Sequence, residues 1–364
     1  MRVLIVKTSS LGDVVHTLPA LTDAAQALPG IRFDWVVEEA FAEIPGWHPA
    51  VDAVIPVAIR RWRKQLWTTW RSGEWSCFKS QLQARSYDLV IDAQGLLKSA
   101  ALTRLVDAPR AGYDRHSIRE PLAAWVYQRR YAVARDLHAV ERIRQLFALA
   151  LGYPQPSRRG TYGLSRAQFA TQTSPGADLR RVMFLHGTTW PTKLWPLAYW
   201  QTLCKNAVAE GYQVTLPWGN DVERERAEAI AAVASNTRVL PRSNLRTLAV
   251  ELADSSAVVA VDTGLGHLAA ALDVPTISLY GPTLPTLVGA YGRNQVHLST
   301  RALLEAKTNN LTLTQSALAN PTLAEHLAPM NNIEPATMAP LTPVLVWESL
   351  RTLLASSARS RDTE

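Results

Sequence analysis

Lys7 to Ala20 reads KTSSLGDVVHTLPA and directly follows the short apolar run Val3–Val6. That order puts a Gly-Asp pair, Gly12-Asp13, on a strand-to-helix turn. In an open parallel α/β sheet such turns lie at the carboxyl ends of strands, where ligands bind. Gly12 lets a ligand approach the backbone, and Asp13 offers a carboxylate at a helix start. Two readings of Asp13 are open: a helix cap, as Asp often is, or a general base.

A second group of chemistry-bearing residues lies far along the chain. HGTTWPTKLWP, from His186 to Pro196, also follows an apolar run. Gly187, Thr188 and Thr189 can offer N–H groups and hydroxyls to a phosphate, and Lys193 adds a compact positive charge. The bland alternative is a solvated loop. VDTGLGHLAAAL, from Val261 to Leu272, repeats the idea. Thr263 and Gly264 stand where helix N-terminal N–H groups would face an anion, and Gly264 and Gly266 would keep that approach open. Asp262 is either a cap or an acceptor for ligand hydroxyls, and His267 is either a ligand contact or a structural histidine. In LPWGNDVERERAEAI, Glu223 could bind ribose hydroxyls as acidic residues do in nucleotide folds, or it could complement a helix dipole, the reading that suits Glu225.

No H-E-x-x-H, cysteine cluster, P-loop lysine motif or first-strand G-x-G-x-x-G occurs in the sequence. The expected chemistry therefore uses no metal and no cofactor, and phosphate charge would be met by Lys193, hydroxyls and helix termini. The net charge of +7 favours anionic partners. The basic segment that opens Arg60-Arg61-Trp62-Arg63-Lys64 is punctuated by Trp62, Trp67, Trp70 and Trp75. Cys77 and Cys204 make no disulfide or metal pattern and read as reduced thiols of a cytosolic protein. No apolar run is long enough to cross a bilayer, and the N-terminus does not read as a secretory signal.

These groups need elements to position them. A chain of 364 residues suggests two domains. In the first half, Val3–Val6, Phe33–Val37, Val54–Val57 and Leu89–Ile91 read as buried parallel strands. Helices are expected after the first run and from about His138 to Leu151. A polar stretch, Tyr153 to Gly176, reads as a linker. In the second half, Val182–Leu185, Val214–Leu216, Ala257–Val261 and Thr276–Tyr280 read as strands, with Pro196 in the first turn of a helix. The halves echo each other, since each leads from a strand into an Asp-bearing turn and a helix. Two such domains facing across a cleft would bring both turns to it. From Ser299 to Pro329 the pattern dissolves, and Leu345 to Leu354 regains a helix before a polar tail.

Taken together, VLIVKTSSLGDVVHTLPALTDA, FDWVVEE, VIPVAIRRWRK, VIDAQGLLKSAAL, the Thr188–Lys193 loop, LPWG, VDTGLGHLAAALD and YGPT resemble the lipopolysaccharide heptosyltransferases, glycosyltransferase family 9. KTSSLGD and AIRRWRK fit the first such enzyme of the pathway better than the second. The resemblance covers the chain from Met1 to about Asn294. It implies a GT-B architecture of two Rossmann-like α/β domains: 1–165 binding the acceptor and 177–335 binding the donor, with 299–329 an insertion. A helix over 343–356 would then pack back toward the first domain. It further implies an inverting, metal-independent transfer of L-glycero-D-manno-heptose from ADP-heptose to the inner Kdo of Kdo2-lipid A. The enzyme would be peripheral on the cytoplasmic face of the inner membrane, touching its anionic surface and binding no nucleic acid. By position, Asp13 matches the general base. Thr188, Thr189 and Lys193 match the donor phosphate site, with Lys193 also stabilising the leaving group. Glu223 matches the ribose contact, and Asp262, Thr263, Gly264 and His267 the donor sugar and phosphate loop. Arg60, Arg61, Arg63, Lys64, Arg119 and His138 match acceptor contacts. The rival readings are another GT-B nucleotide-sugar enzyme, such as the second heptosyltransferase, and a non-enzymatic module that binds anionic lipid.

Overall fold

Short β-branched runs buried on both faces pair in parallel when helices connect them. The computed structural model describes residues 1–169, 180–308 and 336–361, and it contains two six-stranded sheets whose neighbouring strands are all parallel. The chain divides into two compact units, Met1–Leu164 and Ser165–Glu364.

The first unit runs β1 (Arg2–Val6), α1 (Leu11–Val15), α2 (Leu18–Ala27), β2 (Arg32–Glu38), β3 (Val51–Val57), α3 (Ile59–Trp62), α4 (Leu66–Arg71), α5 (Glu74–Gln83), β4 (Leu89–Asp92), α6 (Leu97–Thr103), β5 (Arg110–Tyr113), β6 (Arg129–Tyr131) and α7 (Ala139–Leu151). Its strand order is β3-β2-β1-β4-β5-β6. Leu4, Val6, Val36, Val57 and Val90 form one apolar face of the sheet with Trp62, Phe78 and Leu82. On α2 and α7, the buried pair Asp23–Arg144 closes at 2.6 Å. Arg144 also donates to the carbonyls of Pro156 and Arg158, and Gly160 lies so close to it that a Cβ would come within 2.8 Å of Nε. A buried guanidinium needs its donors satisfied. This one ties down the start of the stretch read from its composition as a linker.

The second unit runs β7 (Arg181–Leu185), α8 (Leu197–Ala209), β8 (Gln213–Leu216), α9 (Asp221–Ala231), β9 (Thr237–Val239), α10 (Leu245–Ala253), β10 (Ala257–Val261), α11 (Gly264–Ala271), β11 (Thr276–Tyr280), α12 (Pro285–Val288), β12 (Gln295–Ser299), α13 (Thr300–Thr308) and α14 (Pro343–Arg361). Its order, β9-β8-β7-β10-β11-β12, repeats that of the first sheet six strands later. Each sheet therefore has one point where the winding reverses, between β1 and β4 and between β7 and β10. Ligands bind outside the carboxyl ends of strands at such points.

Several expectations change here. Pro196 is the N-cap of α8 rather than a first-turn residue. The insertion expected from Ser299 begins with the last residue of β12 and with α13; its remainder and Asn332 to Pro335 lie outside the described residues. Leu345, Val346, Trp347, Leu350 and Leu353 of the C-terminal helix α14 are buried in the core of the second unit. Full burial of such side chains contributes roughly 1.5–3 kcal/mol each, enough to hold the helix there.

Candidate functional site

In the first unit, the end of β1 is fixed before the turn begins. The Thr8 and Ser9 N–H groups both donate to the Gln94 side chain beyond β4 at 3.1 Å, and the Trp35 indole donates to the Lys7 carbonyl. Ser10 is the N-cap of α1 and Asp13 is its third residue, so the cap is Ser10 and not Asp13. The Ser10 N–H donates to Asp13 Oδ2 at 2.7 Å and the Ser10 hydroxyl to the same oxygen at 2.9 Å, the reciprocal half of a capping box. Asp13 Oδ1 stands 3.9 Å from Lys7 Nζ. The Asp13 side chain is 44% exposed and that of Lys7 only 7%.

Lys7 donates to the Ala93 carbonyl at 3.0 Å. Burial pulls its ammonium below the ordinary lysine value; Asp13 and Asp92 pull it back up, and Arg142 and Arg119 push it down. Those neighbours define a charged group at the ends of β1 and β4. Asp92 is wholly buried and accepts from Gln94 N–H, Gly95 N–H, Ser99 and Tyr127, and burial still raises its carboxyl above the usual range. His138, the N-cap of α7, lies edge-on to His16 at 5.6 Å. Arg142, one turn further along α7, rests its guanidinium 5.1 Å over Tyr113 and donates to the Ser117 carbonyl. Sequence reasoning missed Lys7, Asp92 and Arg142. Arg142 was findable as the i+4 neighbour of His138.

The basic segment divides by function. Arg61 is spent on Glu39 and Glu74 at 3.0 and 2.8 Å, and that pairing holds the Glu74 carboxyl down at about 2. Arg60 lies over Phe41, with its N–H bonded to Glu38. Arg63 and Lys64 are exposed on the turn after α3, and Arg119 is exposed near Lys7. Arg61 is therefore a brace for the loop more than a free cation.

In the second unit, Lys193 ends the 3-10 turn Pro191–Lys193 after β7, and Asp262 follows β10. Lys193 Nζ donates to Asp262 Oδ2 at 2.6 Å, and the Thr283 hydroxyl donates to the same oxygen at 2.6 Å. The Thr188 hydroxyl reaches the Asp262 carbonyl at 3.1 Å. Here the ammonium is the more accessible partner, 24% exposed against 9% for the carboxylate. Asp262 is thus not a cap; Thr263 is the N-cap of α11, and its side chain makes no cap bond. Thr263 and Gly264 remain partly exposed, Thr189 is exposed and His267 is buried. Gly266 serves packing rather than ligand approach, since a Cβ there would press on Ala260 of β10 at 3.3 Å.

Glu223 lies in the first turn of α9 and accepts from the Gly219 N–H at 2.8 Å. It crosses Gly187 so closely that a Cβ there would stand 2.7 Å from its carboxyl carbon. The glycine of the HGTT loop therefore makes room for a carboxylate. His186 beneath it is fully buried, neither ring nitrogen makes a full hydrogen bond although one faces the Pro217 backbone, and burial holds the ring down at about 4. Thr283 was missed because it lies 21 residues from the carboxylate it serves. Among the described residues no group of three or more His, Cys, Asp or Glu could hold a metal ion.

The sequence pattern of glycosyltransferase family 9 (heptosyltransferase) matches residues 75–316. Lipopolysaccharide heptosyltransferase 1 of Pseudomonas aeruginosa is 65% identical over 299 residues, 82% of this chain and 83% of the relative. The solved structure of Escherichia coli heptosyltransferase WaaC with ADP superposes with a TM-score of 0.78 at 49% identity, covering 85% of this chain and 100% of that one. The same enzyme with ADP-2-deoxy-2-fluoro heptose gives 0.75 at 48% identity, with the same coverage.

Proposed function

The chain belongs to glycosyltransferase family 9, the heptosyltransferases, and from that premise we propose that it transfers L-glycero-D-manno-heptose from ADP-heptose to the inner Kdo of Kdo2-lipid A in lipopolysaccharide core biosynthesis. The observation that carries the reading is the turn pair of the second unit. An accessible ammonium, Lys193, is anchored by Asp262 and Thr283 beside the start of α11, in a chain about half identical to an enzyme solved with ADP and with an ADP-heptose analogue.

The chemistry follows from charge. Asp13 takes the proton of the acceptor hydroxyl as that oxygen attacks the anomeric carbon, on the face opposite the departing ADP, so configuration inverts. The Ser10 donors and Lys7 hold Asp13 in one orientation while leaving it accessible. Negative charge grows on the leaving diphosphate. Lys193, Thr188, Thr189 and the N–H groups at Thr263 and Gly264 meet it, a preorganised stabilisation that needs no metal. Glu223 accepts from the ribose hydroxyls, and Asp262 and His267 border the sugar. Arg60, Arg63, Lys64, Arg119 and His138 answer the acceptor's phosphates and carboxylates, with Arg61 bracing the loop. The enzyme works peripherally at the cytoplasmic face of the inner membrane. No helix among the described residues is long and apolar enough to cross a membrane.

The test is incubation with ADP-heptose and Kdo2-lipid A followed by mass spectrometry. The expected product is the acceptor carrying one added heptose. An unchanged acceptor with intact, folded protein would refute the assignment.

A further inference from the structure

The segment between β3 and β4 holds four tryptophans that the fold treats in two ways. Trp62 is buried, edge-on to Trp75 and Phe78, and its indole donates to Glu74. Trp67 and Trp70, three residues apart on α4, are 73% and 71% exposed, with ring centroids 5.7 Å apart. Residues three apart on a helix share a face. The first pair of rings holds the segment together, whereas the second stands in water. Paired exposed indoles mark a contact surface more than a fold requirement.

The charge around them names the partner. Between Arg60 and Arg85 the chain carries Arg60, Arg61, Arg63, Lys64, Arg71, Lys79 and Arg85 against the single acid Glu74. Glu74 is already bonded to Arg61, and Arg85 pairs with Asp34. Arg63, Lys64, Arg71 and Lys79 make no ion pair among the described residues. An indole is apolar with one N–H donor and favours the headgroup level of a bilayer, and clustered Lys and Arg beside it are drawn to anionic headgroups. A six-residue helix is too short to span a membrane and suits lying on one.

We propose that the Trp67–Trp70 face of α4, flanked by Arg63, Lys64 and Arg71, is a docking element for an anionic lipid bilayer and seats both indoles among the headgroups. The proposal rests on the acceptor being a membrane lipid, yet its vesicle-binding test needs neither donor nor acceptor. Full-length protein and the double variant Trp67→Ser/Trp70→Ser are sedimented with phosphatidylcholine vesicles, with and without phosphatidylglycerol. The same samples are read by tryptophan quenching with brominated lipid. The wild type is expected to bind the anionic vesicles, less so as salt rises, with part of its emission quenched. The variant is expected to bind roughly ten-fold more weakly or worse. Its thermal melt should match the wild type, because neither ring is buried. Transfer to a water-soluble, deacylated acceptor should be unchanged, while KM for a vesicle-embedded acceptor rises. Equal vesicle binding by the two proteins would overturn the proposal. So would unquenched indoles, or a change of oligomeric state with lipid binding intact. A protein that docks as expected but transfers no heptose to any acceptor would refute the enzymatic reading and leave the docking element standing.

Discussion

Each unit carries a Lys–Asp ion pair at the carboxyl end of its sheet, with the partners reversed: within the turn after β1 in the first unit, and between the turns after β7 and β10 in the second. After β1 the cation is buried and the carboxylate faces out: Lys7 is 7% exposed and Asp13 44%, at 3.9 Å. After β7 and β10 the carboxylate is the more buried and the cation faces out: Asp262 is 9% exposed and Lys193 24%, at 2.6 Å. The inner member of each pair is tied to the scaffold, Lys7 by the Ala93 carbonyl and Asp262 by Thr283. The outer member is the charge on offer. A proton acceptor on one unit and an anion acceptor on the other are what glycosyl transfer with a diphosphate leaving group requires. On the proposed reaction, two sheets of the same strand order serve opposite electrostatic tasks, one leaving the carboxylate outermost and the other the ammonium.

Removing the outward charge of each pair should break this contrast in different ways. Asp13→Asn keeps an oxygen for the Ser10 donors and loses the base, so kcat should fall by about 100- to 10,000-fold in an ADP-release assay. Lys193→Met should lower kcat by about 100-fold, through loss of leaving-group stabilisation. A Lys193 variant altered only in acceptor KM would contradict that assignment.

A smaller effect concerns stability and treats both units alike. His48 in the first unit and His186 in the second are buried, and burial holds both down at about 4 instead of 6.5. His48 Nδ1 accepts the Ala50 N–H and its Nε2 lies 3.0 Å from the Thr22 hydroxyl, an arrangement of a neutral ring. Between those pH values the unfolded chain binds more protons than the folded one. The stability tied to each neutral ring is therefore complete above pH 6.5 and is lost as pH falls toward 4. Each ring accounts for about 3 kcal/mol over that window. His186→Gln should flatten the acid loss of the second unit alone, measurable by urea unfolding at a series of pH values. An unchanged acid slope would show that His186 is protonated in the fold.

The strands most legible in the sequence were those whose runs are apolar throughout, such as Ala257–Val261. The strand Arg110–Tyr113 and the edge strands Arg129–Tyr131, Thr237–Val239 and Gln295–Ser299 escaped notice. They are short, and charged or polar residues interrupt them. The end of α7 was readable because Gly152 supplies a positive φ of 78°. At the sites, the Asp13 turn and the Lys193 and Asp262 loops were visible as local motifs. The Ser10–Asp13 box was missed, Asp13 itself having been weighed as the cap, although a serine three residues ahead of an acid is its sequence signal. Lys7–Asp92, Gln94–Thr8 and Asp262–Thr283 were not legible, because strand order and sheet register, not sequence spacing, bring those residues together. The fate of Arg61 was hidden for the same reason, since its partners Glu39 and Glu74 lie on opposite sides of it in the chain.

ADP binding to the Asp13→Asn variant, measured by calorimetry against the wild type, tests the division of labour most directly. An unchanged affinity, together with lost turnover, is the result predicted if the donor nucleotide is held by the second unit and Asp13 acts only on the acceptor. A large loss of ADP affinity in that variant would place Asp13 in the nucleotide site and contradict the account.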